Sequence, residues 1–180
     1  MLRKRFSELQ INRRAFMRAA GVGSLILGGA GQVFSQSSDV LEIRIISSYP
    51  QSLWYYNLVG LYVKPGQKVR WICTKWGASV TAFHPENDNR ELRIPENAQP
   101  FDSGLLGDDI NTTFEWTFEE EGTYDYFSRN HEVLGTVGRI VVGQPGGPAE
   151  KPLGYGGREG RLPIFPRVKE VLDFVSSQEI

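Results

Sequence analysis

Short stretches in which apolar and polar residues alternate recur along the middle of the chain, and Gly or Pro turn signals separate them. A period of two is the pattern of a β-strand with one buried face. Several short strands with regular turn signals predict a β-sandwich or barrel. The strand-like stretches lie within residues 40–46, 60–74, 78–84, 112–128 and 136–143.

The composition agrees with an all-β fold that has one core. Among 180 residues there are 4 Trp, 7 Tyr and 10 Phe, together with 20 Gly and 10 Pro, which favours aromatic strands joined by many turns. This length suits one packed domain. Cys73 is the single cysteine, so no disulfide within the chain can stabilise the domain.

The first 35 residues have the layout of an export signal. Basic residues precede a short apolar run that is rich in Gly, and Arg13 and Arg14 followed by Phe16 are typical of a twin-arginine signal. We therefore expect residues 1–35 to direct export to the periplasm or another extracytoplasmic compartment. The alternative is an uncleaved anchor, which would place the protein at a membrane.

Without residues 1–35 the chain carries 14 basic and 20 acidic side chains, which gives a net charge of about −6. This balance argues against a nucleic-acid partner and is compatible with a protein partner. We divide the rest of the chain into a β-domain over residues 36–143 and a tail over residues 144–180.

The tail begins with a stretch rich in Gly and Pro that has no regular period. Its end predicts a short amphipathic helix, which either docks on its own domain or grips a partner protein. The apolar face of this helix would consist of Val168, Val171, Leu172 and Val175.

Four motifs, in order, resemble those of the cupredoxins, the small blue copper proteins of the plastocyanin, azurin and halocyanin group. They are VKPGQKVRW (63–71), SVTAFHPEN (79–87), FEWTFEEEGTYDYF (114–127) and HEVLGTVGRIVVG (131–143). The resemblance covers about residues 41–143 and implies a Greek-key β-sandwich. It also implies a copper site built from a His before a middle strand and a Cys-x2-His-x4-Met loop.

This chain keeps the spacing of that loop and changes most of its ligands. His131 matches the loop histidine, while Ser128, Thr136 and Ala78 stand where the resemblance implies Cys, Met and the first His. Serine does not supply the thiolate of a blue site, and alanine has no donor atom. We therefore predict a degenerate site in which His131 is the one retained ligand and no cofactor is bound.

Other residues could rebuild a copper site in principle. His84 is the second histidine, and Cys73 could offer sulfur, although the alternation with Trp71 favours a buried core position for Cys73. We also expect Trp76, close to Ala78, to turn inward and fill the space of the lost metal.

Two functions remain open. The first is an exported structural or interaction module, not an enzyme, which serves as an accessory subunit of a periplasmic or membrane electron-transfer or copper-handling system. If the aromatic-rich stretch at residues 48–60 is exposed, it would contribute to the surface of this module. The alternative is that this stretch is a buried strand. The second is an electron carrier that binds copper through an unorthodox ligand set. We expect no catalysis, because Ser128 and His131 come with no orienting third group or oxyanion site in the sequence.

Overall fold

The computed structural model describes residues 40–48, 53–74, 77–107, 112–152 and 165–176. The predicted signal segment and Trp76 lie outside these residues, as does part of the tail. In the described part of the chain, no helix is long and apolar enough to cross a membrane.

Eight strands form two four-stranded sheets. The first sheet has the order β2-β1-β4-β6 and the second has the order β3-β8-β7-β5, with parallel pairing of β1 with β4 and of β3 with β8. The predicted β-sandwich with a short C-terminal helix is confirmed. The strands are β1 (Leu41–Ser48), β2 (Leu53–Tyr56), β3 (Gly60–Val63), β4 (Gln67–Cys73), β5 (Thr81–Ala82), β6 (Thr112–Phe118), β7 (Gly122–Phe127) and β8 (Val137–Val142), and the helix is α1 (Val168–Ser176).

The alternation of apolar and polar residues in the sequence corresponds to an alternation of more and less buried residues in the first sheet. On β4, Val69, Trp71 and Cys73 are buried and the residues between them are half-buried. Trp71 lies among the rings of the core, 5.6 Å from Tyr126 and 6.0 Å from Phe101 between ring centroids. The two sheets therefore enclose one aromatic core, as the composition predicts.

The turn between β3 and β4 carries the chain from one sheet to the other. Gly66 has a φ of +80°, a left-handed conformation that favours glycine, and its N–H donates to the carbonyl of Phe118 at 2.7 Å. β3 pairs with β8, whereas β4 pairs with β1 and β6. The two strand-like runs of residues 60–74 thus belong to opposite sheets.

The predicted strand over residues 78–84 is much shorter in the structure. Only Thr81 and Ala82 form β5, while Ala78 makes an isolated bridge with Leu106. The N–H of Val80 donates to the side chain of Ser103 at 2.8 Å, so a loop replaces the neighbouring strand as hydrogen-bond partner. The residues before β5 are therefore positioned by hydrogen bonds to this loop, although they do not form a strand.

The strands β7 and β8 are buried on both faces, unlike those of the first sheet. Every residue of both strands is buried. Their inner side chains enter the core, and their outer side chains are covered by the connection after β5 and by the C-terminal segment. This covering explains how polar residues such as Asp125 and Arg139 come to be buried.

Candidate functional site

The four positions that the resemblance marks as ligands lie together at one end of the sandwich. Ala78 precedes β5, Ser128 follows β7, and Thr136 precedes β8. The N–H of Ser79 donates to the hydroxyl of Ser128 at 3.1 Å, and the N–H of Ser128 donates to the carbonyl of Thr136 at 3.1 Å. The N–H of Thr136 donates to the carbonyl of His131 at 3.1 Å, which closes the loop.

A short 3-10 turn shapes the loop after His131. It covers Glu132–Leu134 and ends at Gly135, whose φ of +88° allows its N–H to reach the carbonyl of Glu132 at 2.7 Å. The carboxylate of Glu132 is buried and lies 2.8 Å from the guanidinium of Arg90. This ion pair fixes the loop to the connection that follows β5.

The Ser128 hydroxyl lies between a backbone donor and an imidazole. It is fully buried, accepts the hydrogen bond from Ser79 and lies 3.3 Å from Nδ1 of His131. The hydroxyl hydrogen can be donated to Nδ1 when the imidazole is neutral. Burial lowers the pKa of His131 below its usual value, which favours this neutral form.

An aromatic side chain from another strand covers His131. The indole of Trp54, on β2, stacks on the imidazole with the centroids 4.1 Å apart and the planes at 13°. The hydroxyl of Thr136 donates to the backbone carbonyl of Trp54 at 2.7 Å. His131 and Thr136 therefore both contact β2 through Trp54. The site is thus closed on one side by Trp54.

Trp54 is the residue of the site that the sequence interpretation missed. We expected Trp76 to fill the space, and Trp76 lies outside the described residues. The signal for Trp54 is present in the aromatic-rich stretch at residues 48–60, part of which forms β2. The sequence does not indicate that this stretch contacts the loop of His131.

Polar residues behind Ser128 form a second layer. The hydroxyl of Ser79 lies 2.9 Å from that of Thr81 and accepts the backbone N–H of Arg129 at 2.9 Å. The guanidinium of Arg129 binds the carboxylates of Asp88 at 2.7 Å and Asp102 at 2.6 Å. Partial burial opposes ionisation of Asp102, but hydrogen bonds from Arg129 and Thr81 outweigh it and lower the pKa of this carboxyl.

The two other candidate ligands lie apart from the loop. Cys73 ends β4 and is fully buried in the core, as the alternation with Trp71 predicts. His84 follows β5, whereas Ala78 precedes it, and Nδ1 of His84 accepts the backbone N–H of Glu86 at 3.2 Å. Neither residue is placed by these contacts at the loop of His131.

The donor atoms at the four positions do not match a blue copper site. Ala78 offers no donor, and the Ser128 and Thr136 hydroxyls have protein partners in Ser79, His131 and Trp54. A neutral hydroxyl is a poor ligand for copper, which prefers imidazole and sulfur. His131 is therefore the one strong ligand that these positions retain.

Comparison with known proteins finds only distant structural likeness. No protein-family model and no curated protein matches the chain. Pseudoazurin from Hyphomicrobium denitrificans has 17% identity over 58% of this chain and 75% of its own, with a TM-score of 0.47. Pseudoazurin from Methylobacterium extorquens AM1 has 20% identity over 57% and 73%, with a TM-score of 0.43. A reduced Cu(I) form of an amicyanin variant has 21% identity over 58% and 82%, with a TM-score of 0.42.

Proposed function

We propose that this chain is an exported protein of cupredoxin-like fold that binds no copper and acts by binding another protein. The observation that supports this most is the contact of Ser128 with both Ser79 and His131. The hydroxyl occupies the place of the expected thiolate and completes a hydrogen-bonded arrangement of its own. In this arrangement the Ser128 hydroxyl has hydrogen-bond partners that do not depend on a metal.

The partner surface that we propose surrounds this loop. In the described residues, the large apolar side chains with the greatest exposure belong to segments that meet at this end. Val133 and Leu134 follow His131, Leu53 precedes Trp54, and Leu105 precedes the residue that bridges Ala78. The exposed fractions are 66% for Val133, 45% for Leu134, 37% for Leu53 and 62% for Leu105. We call these four residues the apolar rim.

Site-specific photo-crosslinking in the native cells tests the rim. A photoreactive amino acid at position 133 should give a defined protein adduct, and the same amino acid at position 119 should not. Glu119 is a suitable control, because it is exposed in the turn that leads into β7, whereas the loop of His131 follows the other end of that strand. No adduct from position 133, or equal adducts from both positions, would contradict a protein-binding rim.

The electron carrier with an unorthodox ligand set is the second candidate. It rests on His131, whose ring already lies at the loop. Copper binding through Nδ1 would require this atom to leave Ser128, and in either case other donors would have to reach the ion. We also propose that the chain is not an enzyme, because Ser128 is fully buried and its oxygen accepts a backbone hydrogen bond.

A further inference from the structure

The outer face of the second sheet carries a buried cluster of charges. Asp125 on β7 is paired in register with Arg139 on β8. The guanidinium of Arg139 donates to both carboxylate oxygens of Asp125, at 2.7 and 2.9 Å, and Arg93 donates to one of them at 2.9 Å. The three side chains are exposed by 0% for Asp125, 2% for Arg93 and 8% for Arg139.

The remaining guanidinium donors bind backbone carbonyls of the C-terminal part of the chain. Both arginines donate to the carbonyl of Ala149, at 2.7 Å from Arg93 and 2.9 Å from Arg139. Arg93 also donates to the carbonyl of Lys151 at 3.1 Å, and Arg139 donates to that of Pro166 at 2.9 Å. A buried guanidinium needs acceptors, and here the C-terminal backbone supplies them.

The side chain of Phe165 is bound by the same two arginines. Each guanidinium lies 5.4 Å from the centroid of its ring, within the range of a cation–π contact. The ring of Phe83 meets that of Phe165 edge-on at 5.6 Å. Phe165 packs against a small apolar cluster, separate from the main core, which consists of Phe83, Phe127 and Val137.

A glycine on the edge strand makes room for the helix that follows. A Cβ placed on Gly60 of β3 would lie 2.7 Å from Cγ2 of Val171 and 3.0 Å from Cγ of Pro166. Val171 is 5% exposed. The edge of the second sheet is therefore shaped to accept this segment, and Gly60 is the place where a single methyl group would obstruct it.

We infer that the outer face of the second sheet is a peptide-binding groove for a Phe-Pro segment, and that residues 165–171 of the same chain occupy it. The groove consists of the apolar cluster, the two arginines and Gly60. It recognises one aromatic ring, one backbone carbonyl and the first turn of a short amphipathic helix. Residues 152–164 connect this segment to the rest of the chain, so the segment is a ligand joined to its own receptor.

Cleavage of the connection tests this inference in the full-length chain. A protease site is inserted between residues 156 and 157, the chain is cut, and the products are separated by size-exclusion chromatography. The C-terminal fragment should co-elute with the β-domain. A labelled synthetic peptide of residues 161–176 should then exchange into the cut protein, as fluorescence anisotropy would show.

Substitutions made in the synthetic peptide do not affect the folding of the β-domain, so they test the binding of the segment alone. The peptide with Phe165→Ala should compete at least about tenfold more weakly, because it loses the burial of one aromatic ring. In the cut protein, Gly60→Ala should release the fragment, whereas Thr113→Ala on the other sheet should not. The inference would be overturned if the cut, unsubstituted protein lost the fragment while the β-domain kept its circular dichroism spectrum. Equal competition by the Phe165→Ala peptide would also overturn it.

Discussion

The chemistry of this site is decided by single side chains. Ala78, Ser128 and Thr136 are small and neutral, so they fit the loop without leaving charges to satisfy. The spacing around His131 was sufficient to predict which residues meet in this loop, and the loss of copper binding stays a prediction. The sequence was not sufficient to predict Trp54, because the return of β2 to this loop depends on long-range pairing.

The stacking of Trp54 on His131 predicts a measurable cost when the indole is removed. We expect Trp54→Ala to lower the free energy of unfolding by about 1–3 kcal/mol, as for loss of a partly buried aromatic contact. The pKa of His131 should rise toward its usual 6.5, because the imidazole becomes more hydrated. Urea denaturation and an NMR titration would measure the two effects.

Trp54→Phe is the matched control, since a smaller ring can still stack on the imidazole. It should retain most of the stability and leave the pKa of His131 lowered. If Trp54→Ala changed neither quantity, the indole would not be what shields His131.

The ion pair of Arg129 with Asp102 predicts a pH dependence of stability. The pKa of Asp102 is lower in the folded protein than its usual 3.8, so its contribution is present above that value and is lost as the pH falls through the folded pKa. We expect Asp102→Asn to destabilise the protein at pH 7. The difference from the unsubstituted protein should shrink below about pH 4.

Denaturant midpoints measured from pH 7 down to pH 2.5 would follow this difference. Glu96→Gln is a suitable control, because Glu96 is exposed in the same connection. A constant difference between Asp102→Asn and the unsubstituted protein across this range would show that the effect is not electrostatic.

At the scale of elements, the sequence predicts the first sheet better than the second. Strands such as β4 are half-buried and alternate, which is the pattern that sequence analysis detects. The residues of β7 are buried on both faces, although Asp125 lies among them. The sequence could not indicate this second burial, because it depends on Arg93 and on the distant C-terminal segment.

The buried cluster on β7 and β8 predicts a large effect of a single substitution. Asp125→Ala would leave Arg93 and Arg139 buried without the carboxylate that they share. We expect a loss of about 3–5 kcal/mol in the free energy of unfolding. Chemical denaturation followed by tryptophan fluorescence would measure it.

A surface pair on α1 serves as the comparison. Asp173→Ala removes the partner of Lys169 where both side chains are exposed, and should change stability by less than about 1 kcal/mol. Similar small losses for Asp125→Ala and Asp173→Ala would mean that the cluster does not hold the second sheet.

At the scale of the whole molecule, the fold and the metal chemistry are separate properties. The sandwich is held by an aromatic core, by the ion-pair cluster outside the second sheet and by the docked C-terminal segment. The candidate site lies at one end of this scaffold. The strand order and the loop geometry can therefore persist when the ligands change.

Copper titration of residues 36–180 would show whether the protein binds the metal. The unsubstituted protein is compared with the triple variant Ala78→His, Ser128→Cys and Thr136→Met, with metal content, visible spectra and EPR spectra recorded for both. We expect the unsubstituted protein to stay free of copper and the variant to bind one ion and turn blue, because thiolate ligation gives a blue site its colour. Tight binding of one copper ion by the unsubstituted protein would contradict the account.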